Sequence, residues 1–152
     1  MSVFTNETER EEYIIDNSRD SLNSEESSRI VLMNEIEDEQ LLNKKVRVAG
    51  IVKEVNIVSE EMIIHYELKN VRVSLGGSRL LGTLERGKIV EIIGKLTKRC
   101  EENEDENAGK NHSDKLIIDA EIIRIIDNMN LHLYQLSILL RRKVINDSKI
   151  YN

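Results

Sequence analysis

Apolar and polar residues alternate in five short runs between residues 44 and 126, a pattern typical of strands that bury one face. In the first run, Val46 and Val48 lie on one side of the strand, and Lys45 and Arg47 lie on the other. The predicted strands are residues 44–55, 62–68, 71–75, 88–96 and 116–126. Each is short enough to cross a small domain once.

Glycines and polar pairs interrupt these runs where the chain has to bend. Gly50 and Gly94 stand inside the first and fourth strands, where a glycine usually marks a bulge or a sharp bend. Only Lys69 and Asn70 separate the second and third strands, which predicts a tight hairpin. Residues 78–85 are expected to form a short helical turn before the fourth strand.

Five strands with a short helix after the third, and with glycine kinks in the first and fourth, indicate a small closed barrel. We expect an all-β fold with a C-terminal helix, built as a five-stranded Greek-key barrel of the oligonucleotide/oligosaccharide-binding (OB) type. The kinks fit this layout because a strand that curls round a barrel needs backbone freedom. An open antiparallel sheet with one helix is the alternative.

Residues 127–146 have the spacing of a helix that is apolar on two opposite sides. At about 100° per residue, Leu131, Tyr134, Ile138 and Ile145 share one stripe. A helix at a protein surface normally carries one apolar stripe, so the second stripe predicts contact with another protein. The expected partner-binding residues are Met129, Leu133, Leu136, Leu140 and Val144. Alternatively, residues 30–42 clamp the helix against the barrel, and both stripes are buried within the chain.

Charge is distributed unevenly along the chain. Residues 1–43 hold 12 acidic and 3 basic residues, whereas residues 44–100 hold 6 acidic and 12 basic ones. The first 28 residues are also poor in apolar side chains, which predicts disorder. We therefore expect a disordered acidic tail at 1–28, an OB domain at 29–146 with an acidic loop at 101–114, and a second tail at 147–152.

Few side chains suggest chemistry. Cys100 is the only cysteine, which excludes an intrachain disulfide, and the scattered His65, His112 and His132 predict no metal site. Asp119 and Glu121 share a strand face, but nothing converges on them, and no phosphate-binding glycine loop is present. We expect no enzyme activity, no cofactor and no membrane span, and a reducing compartment such as the nucleus or cytoplasm.

Three stretches carry a resemblance to a known family. They are the lead-in IVLMNEI at 30–36, the strand VRVAGIV at 46–52, and AEIIRIIDNMNLHLYQLSILLRR at 120–142, which joins a last strand to a helix with basic residues near its end. Together they resemble the small OB-fold (Ten) subunit of the telomere-capping CST complex. The acidic loop and the acidic tail depart from the compact pattern of that family.

The resemblance implies a non-catalytic accessory subunit that is nuclear and telomeric. It also implies a heterodimer, through the C-terminal helix, with a larger Stn-type OB protein, alone or together with a third large subunit. Telomeric single-stranded DNA would then be bound through the complex. The small subunit of replication protein A has the same plan of barrel and helix and is the competing family.

Basic residues on the predicted strands form a candidate nucleic-acid surface. Single-strand binding normally combines cations with aromatic side chains on which bases stack. Tyr66 is the one aromatic residue in the predicted strands, and the alternation places its side chain with those that face the core. We therefore expect weak, salt-sensitive binding at most. The alternatives are a stand-alone weak binder and a merely solvated strand face. The candidate residues are Lys45, Arg47, Lys53, Lys69, Arg72, Arg79 and Lys95.

Overall fold

The computed structural model describes residues 13–14, 27–76, 83–100 and 114–150. Two 3₁₀ turns, Met33–Glu35 and Glu39–Leu41, precede the main sheet. The regular elements are β1 (Tyr13–Ile14), β2 (Arg29–Ile30), β3 (Lys45–Asn56), β4 (Glu61–Tyr66), β5 (Lys69–Ser74), β6 (Ile89–Cys100), β7 (Asp114–Ile125) and α1 (Leu131–Ile150).

Strands β3 to β7 pair in a closed ring. β3 is antiparallel to β4, β4 is antiparallel to β5, β5 runs parallel to β7, and β6 joins β7 back to β3. The ring closes because β3 serves two neighbours: residues 45–51 pair with β6, and residues 51–56 pair with β4. This confirms the five-stranded OB barrel, and the open sheet was the wrong alternative.

The apolar side chains that alternate with polar ones along each strand fill the barrel interior. These side chains are almost completely shielded from water, as the period of two predicts. Tyr66 is half-buried and packs against this core, in agreement with its parity. Members of the core include Val46, Val48, Val52, Met62, Ile64, Val73, Ile92, Leu96, Ile118 and Ile123.

Local boundaries differ from the sequence prediction. The hairpin between β4 and β5 has a two-residue turn, but it is formed by Glu67 and Leu68, because Lys69 and Asn70 already pair with Tyr66 and His65. Glu67 adopts a left-handed φ of 53°, which two-residue hairpin turns require. Apolar alternation alone placed the turn too late, since Leu68 continues the apolar pattern while lying exposed.

Several predictions fall wholly or partly outside the described residues. The acidic loop lies there except for Asp114, which begins β7, and so does most of the helical turn expected at 78–85. Most of the N-terminal tail also lies outside, although its residues Tyr13–Ile14 pair with Ile123 and Ile122 of β7. Among the cations, Arg79 is outside the described part of the chain.

The two strand glycines serve different purposes. Gly94 lies at the register shift between β6 and β7, where the extra residue is Glu121 of β7, so the irregularity predicted at Gly94 is a bulge of the neighbouring strand. Gly50 lies in regular pairing with Val90. A Cβ on Gly94 would lie 2.8 Å from the Asp119 carbonyl carbon and 2.9 Å from the Ala120 Cα atom. At Gly50 it would meet the Ile64 side chain at 3.2 Å. The backbone approach at Gly94 therefore excludes any side chain.

The substitution Gly94→Ala should destabilise the barrel by about 1–3 kcal/mol or more, because a side chain there overlaps fixed backbone. Gly50→Ala should cost less, since its nearest neighbour is the end of a flexible isoleucine side chain. Urea unfolding of both variants measures the difference. Equal losses would show that the close approach of β6 to the bulge of β7 does not need glycine.

Candidate functional site

Asp127 ties the link between β7 and α1 to the start of β6. Its Oδ2 atom accepts a hydrogen bond from Lys88 Nζ at 2.8 Å, and Oδ1 accepts one from the Ile89 backbone N at 3.2 Å. The Lys88 hydrogen bond lowers the pKa of Asp127. Asn130 then caps the helix, accepting from the Leu133 N–H at 3.2 Å. The helix therefore begins at Leu131, four residues later than predicted, and Met129 lies in the link.

The barrel-facing side of α1 packs through apolar contacts. Leu131 and Ile138 are each 7% exposed, and Tyr134 is half-buried between them. Leu131 and Tyr134 line a shallow pocket together with Leu32 of the lead-in and Ala49 of β3. Three of the four residues predicted for this stripe, Leu131, Tyr134 and Ile138, thus pack on the chain's own barrel.

A polar cluster lies beneath the first turn of α1. The Tyr134 hydroxyl donates to Glu91 Oε2 at 3.3 Å, and Arg124 Nη1 lies 3.5 Å from Glu91 Oε1. Burial raises the pKa of Tyr134 to about 12, and the Glu91 charge adds to this effect while Arg47 opposes it. The phenol therefore stays protonated at neutral pH and remains a donor to the buried Glu91. This fixes the rotation of α1 on the barrel.

Arg142 joins the far half of α1 to the lead-in segment. Its Nη1 and Nη2 atoms donate to the two carboxylate oxygens of Glu35 at 2.6 and 3.0 Å, and Nη2 also donates to the Ile30 carbonyl at 2.8 Å. Glu35 in turn accepts from the Leu32 backbone N at 2.8 Å. We call this group the Glu35–Arg142 clamp. Ile145 lies one turn beyond the clamp and is 42% exposed, although the spacing had placed it on the core-facing stripe.

The opposite side of α1 is uncovered by the residues that the structure describes. The clamp engages the inner side of the helix, so the lead-in at 30–42 does not bury both stripes. Leu139, which the spacing did not select, adds to this surface at 48% exposed. We call the predicted residues the outer stripe: Met129 (37% exposed), Leu133 (61%), Leu136 (48%), Leu140 (63%) and Val144 (59%).

The candidate cations are dispersed over the outer barrel surface, and several are held by acids. Lys45 pairs with Glu121 at 2.5 Å, and Lys69 pairs with Glu37 at 3.2 Å. Arg47 adds positive charge beside Tyr134, and its Nε atom is buried. It therefore belongs to the barrel–helix contact and not to an open groove.

The remaining candidates have different neighbours. Lys53 lies 3.5 Å from the Asn70 amide oxygen, and Lys95 is exposed on β6 beside Lys45 in the pairing with β3. Arg72 lies 3.5 Å from Glu61. The structure therefore brings Lys45 and Lys95 together but does not assemble one continuous basic groove from the predicted set.

Other kinds of site find no support in the described residues. No group of three or more histidine, cysteine, aspartate or glutamate side chains there is arranged to hold a metal ion. No helix in the same part of the chain is long and apolar enough to cross a membrane. The outer stripe and the outer barrel surface are thus the two candidate sites.

A protein-family model described as "Telomere-capping, CST complex subunit" matches residues 24–148. The chain belongs to this telomere-capping family. The match covers the barrel, the lead-in and nearly all of α1, so it includes both halves of the clamp. It also decides between the two families suggested by the sequence. No curated protein matches the chain significantly.

Solved structures show the same fold. Telomere-capping protein Ten1 from Saccharomyces pombe is 17% identical, with a TM-score of 0.57 over 77% of this chain and 99% of that one. The S. pombe Stn1–Ten1 complex gives 17% identity and a TM-score of 0.54 over 79% and 96%. Replication protein A from U. maydis, bound to single-stranded DNA, gives 16% and 0.53 over 81% and 96%. At these identities the likeness establishes the OB fold alone.

Sequence reasoning missed two features of this telomere-capping subunit. The clamp joins residues 107 positions apart, and no local pattern links Glu35 to Arg142. The resemblance had nevertheless marked an acidic residue in the lead-in and basic residues near the helix end. Arg99 was also missed, because it follows the apolar part of β6, yet it pairs with Glu61 at 3.0 Å.

Removal of the clamp should loosen the far half of α1. Arg142→Met keeps much of the side-chain stem and removes the ion pair, which should cost about 0.5–1 kcal/mol because both partners remain partly exposed to screening solvent. Arg141→Met, at the exposed neighbouring position, is the matched control. Urea unfolding at about pH 7 measures the loss.

The same pair makes stability depend on pH. The Arg142 hydrogen bond lowers the pKa of Glu35 below its ordinary value of 4.5, so the stabilisation is present above that value and is lost as pH falls through the folded pKa. The difference between the wild-type chain and Arg142→Met should therefore shrink in acid. A difference that stays constant down to about pH 3 would show that the charges of the clamp contribute nothing.

Proposed function

We propose that this telomere-capping OB subunit is a non-catalytic accessory chain that heterodimerises with a larger Stn-type OB protein through the outer stripe of α1. The observation that carries the proposal is the exposure of this stripe on a helix whose inner side is already packed. Four exposed apolar side chains, Leu133, Leu136, Leu140 and Val144, follow one another at helical spacing, and Met129 is exposed in the link before the helix. A second helix or a groove of the partner would cover such a ridge by ordinary ridge-in-groove packing.

The energetics favour a composite interface. If each of the five side chains is largely buried at about 1.5–3 kcal/mol, the gross gain is roughly 7–15 kcal/mol as an upper estimate. Association itself costs about 4–15 kcal/mol. The stripe alone therefore supports only modest affinity, and some of the barrel surface has to join the contact. Leu139, on the flank of the stripe, widens the apolar surface that the partner can cover.

The kind of partner is suggested by the solved complexes. One of the structurally similar chains comes from a crystal structure of the Stn1–Ten1 complex. The telomere-capping subunit described here has the same fold as that chain. We infer that this subunit forms a heterodimer with a Stn-type OB protein, alone or together with a third large subunit. The complex would act in the nucleus at telomeres. The replication-protein-A-like alternative rests on fold likeness alone, whereas the family match covers most of the chain.

Contact with telomeric single-stranded DNA would come mainly through the complex. The described cations Lys45, Lys69 and Arg72 are each paired with a carboxylate, which reduces the positive potential available to phosphates. This chain alone should therefore bind single strands weakly.

The carboxylates of β7 also support the non-catalytic part of the proposal. Glu121 pairs with Lys45, and Asp119 accepts from Thr97 Oγ1 at 3.3 Å. Both acids of the strand that could have formed a catalytic pair are thus engaged in contacts that stabilise the barrel surface. Among the described residues, this strand face therefore presents no unengaged pair of carboxylates for acid–base chemistry.

Charged residues in the outer stripe should abolish the heterodimer. The double variant Leu133→Glu/Leu140→Glu replaces two side chains that the partner would bury, so we expect association to weaken by about 100-fold or more. Co-purification of the co-expressed pair gives the first result, and titration calorimetry gives the affinity. The barrel should remain folded, because both positions are exposed in the chain alone.

Val58→Glu is the matched control for this experiment. Val58 is 96% exposed in the turn between β3 and β4, so the same kind of substitution is made away from α1. It should leave association unchanged. If the double variant still co-purifies with the larger protein, the helix is not the interface; if another partner is recovered, such as a large replication-protein subunit, the choice of complex is wrong.

A further inference from the structure

Glu61, the first residue of β4, lies between two arginines on the outer barrel surface. Its Oε2 atom is 3.5 Å from Arg72 Nη1, and its Oε1 atom accepts from Arg99 Nη1 at 3.0 Å. Arg99 also reaches Ser74 Oγ at 3.5 Å and Asp119 Oδ1 at 3.6 Å. Both guanidinium groups thus contact the Glu61 carboxylate, and Arg99 also contacts a second carboxylate, that of Asp119.

This arrangement has the geometry of an oxyanion site whose anion is part of the protein. Guanidinium groups bind carboxylate and phosphate oxygens in the same way, through charge-assisted hydrogen bonds. The Glu61 carboxylate therefore takes the place that a phosphodiester oxygen would otherwise occupy. A phosphate that approached Arg72 and Arg99 would have to displace Glu61 or accept a like charge beside it.

The position of Glu61 is fixed by the turn that precedes it. Asn56 Oδ1 accepts hydrogen bonds from the backbone N atoms of Val58 and Ser59 at 3.0 and 3.1 Å. The Glu60 carbonyl accepts from the Leu75 N–H at 2.8 Å. Glu61 itself is paired in register with Ser74 of β5. The carboxylate is therefore presented to the arginines by regular backbone and not by a loose loop.

We propose that Glu61 is a specificity-determining residue that prevents Arg72 and Arg99 from binding the phosphodiester backbone of single-stranded nucleic acid. The inference rests on the proposed function, in which this chain contributes little DNA affinity, and it names the group that keeps that contribution low. It also explains why a mildly basic barrel need not bind nucleic acid on its own. Neutralising Glu61 removes the one carboxylate that contacts both guanidinium groups.

Fluorescence anisotropy of the full chain with a labelled oligothymidylate of about 20 nucleotides tests this inference, since single strands of that length span an OB fold. Glu61→Gln should bind about 5–20-fold more tightly than the wild type at low salt. The salt dependence should steepen by about 1, as expected for one or two added phosphate contacts. Glu37→Gln is the matched control, because it also removes one negative charge from an ion pair, with Lys69. It should change the affinity less than about two-fold.

A second substitution assigns the gain to the arginines. Arg99→Met added to Glu61→Gln should remove part of the gain, and loss of both Arg72 and Arg99 should return the affinity to the wild-type level. Equal tightening by Glu61→Gln and Glu37→Gln would overturn the inference, and so would a gain that survives the loss of both Arg72 and Arg99. Thermal unfolding of each variant establishes that it is folded.

The wild-type background provides a test that does not need a folded Glu61 variant. Arg99→Met alone should alter oligothymidylate binding less than about two-fold, since its guanidinium is already engaged. A loss of about ten-fold or more would contradict the inference. All these variants should co-purify normally with the larger OB protein. If the Glu61 variants do not bind DNA more tightly, the role of Glu61 is wrong, but the proposed helix interface is unaffected. If the helix interface is wrong, the DNA-binding measurements still test Glu61.

Discussion

Closure of the barrel through β3 is the constraint on which the rest of the structure depends. One strand of 12 residues pairs with β6 along its first half and with β4 along its second half. Every barrel strand therefore has two neighbours, and its inward-facing apolar side chains fill the interior. Any function has to be carried by the outer surface, by the turns, or by an element added to the barrel.

Helix α1 is that added element, and its attachment explains why one side remains exposed. Asp127 fixes where the helix starts, the Tyr134–Glu91 hydrogen bond fixes its rotation, and the Glu35–Arg142 clamp fixes its far half. All three contacts act on the barrel-facing side. Rotating the helix to bury the outer stripe would break two of them and expose Leu131 and Ile138. The exposed ridge is thus a consequence of well-formed contacts beneath it.

Much of this organisation was predictable from the sequence, because period-two and period-3.6 patterns report directly on which side chains are buried. The strands, the closed barrel and the two sides of α1 follow from such patterns, and the glycine at position 94 marked the irregular pairing of β6 with β7. The helix start did not follow, since Asn130 acts as a cap only when the chain has already turned away from β7. Nor did the clamp, because its partners are distant in sequence. Whether the outer stripe and the cations bind the proposed ligands stays a prediction.

The distribution of charge supports a division of labour between the two candidate surfaces. Cations and carboxylates alternate on the barrel: Lys45 with Glu121, and Arg72 and Arg99 with Glu61. Paired charges on a surface contribute little to stability, typically below about 1 kcal/mol, so stability alone does not account for their placement. Their clearer effect is to lower the potential that attracts phosphates. The outer stripe, by contrast, presents apolar side chains that gain free energy only when a partner removes them from water. The physical chemistry of this surface thus favours binding to another protein over independent binding to DNA.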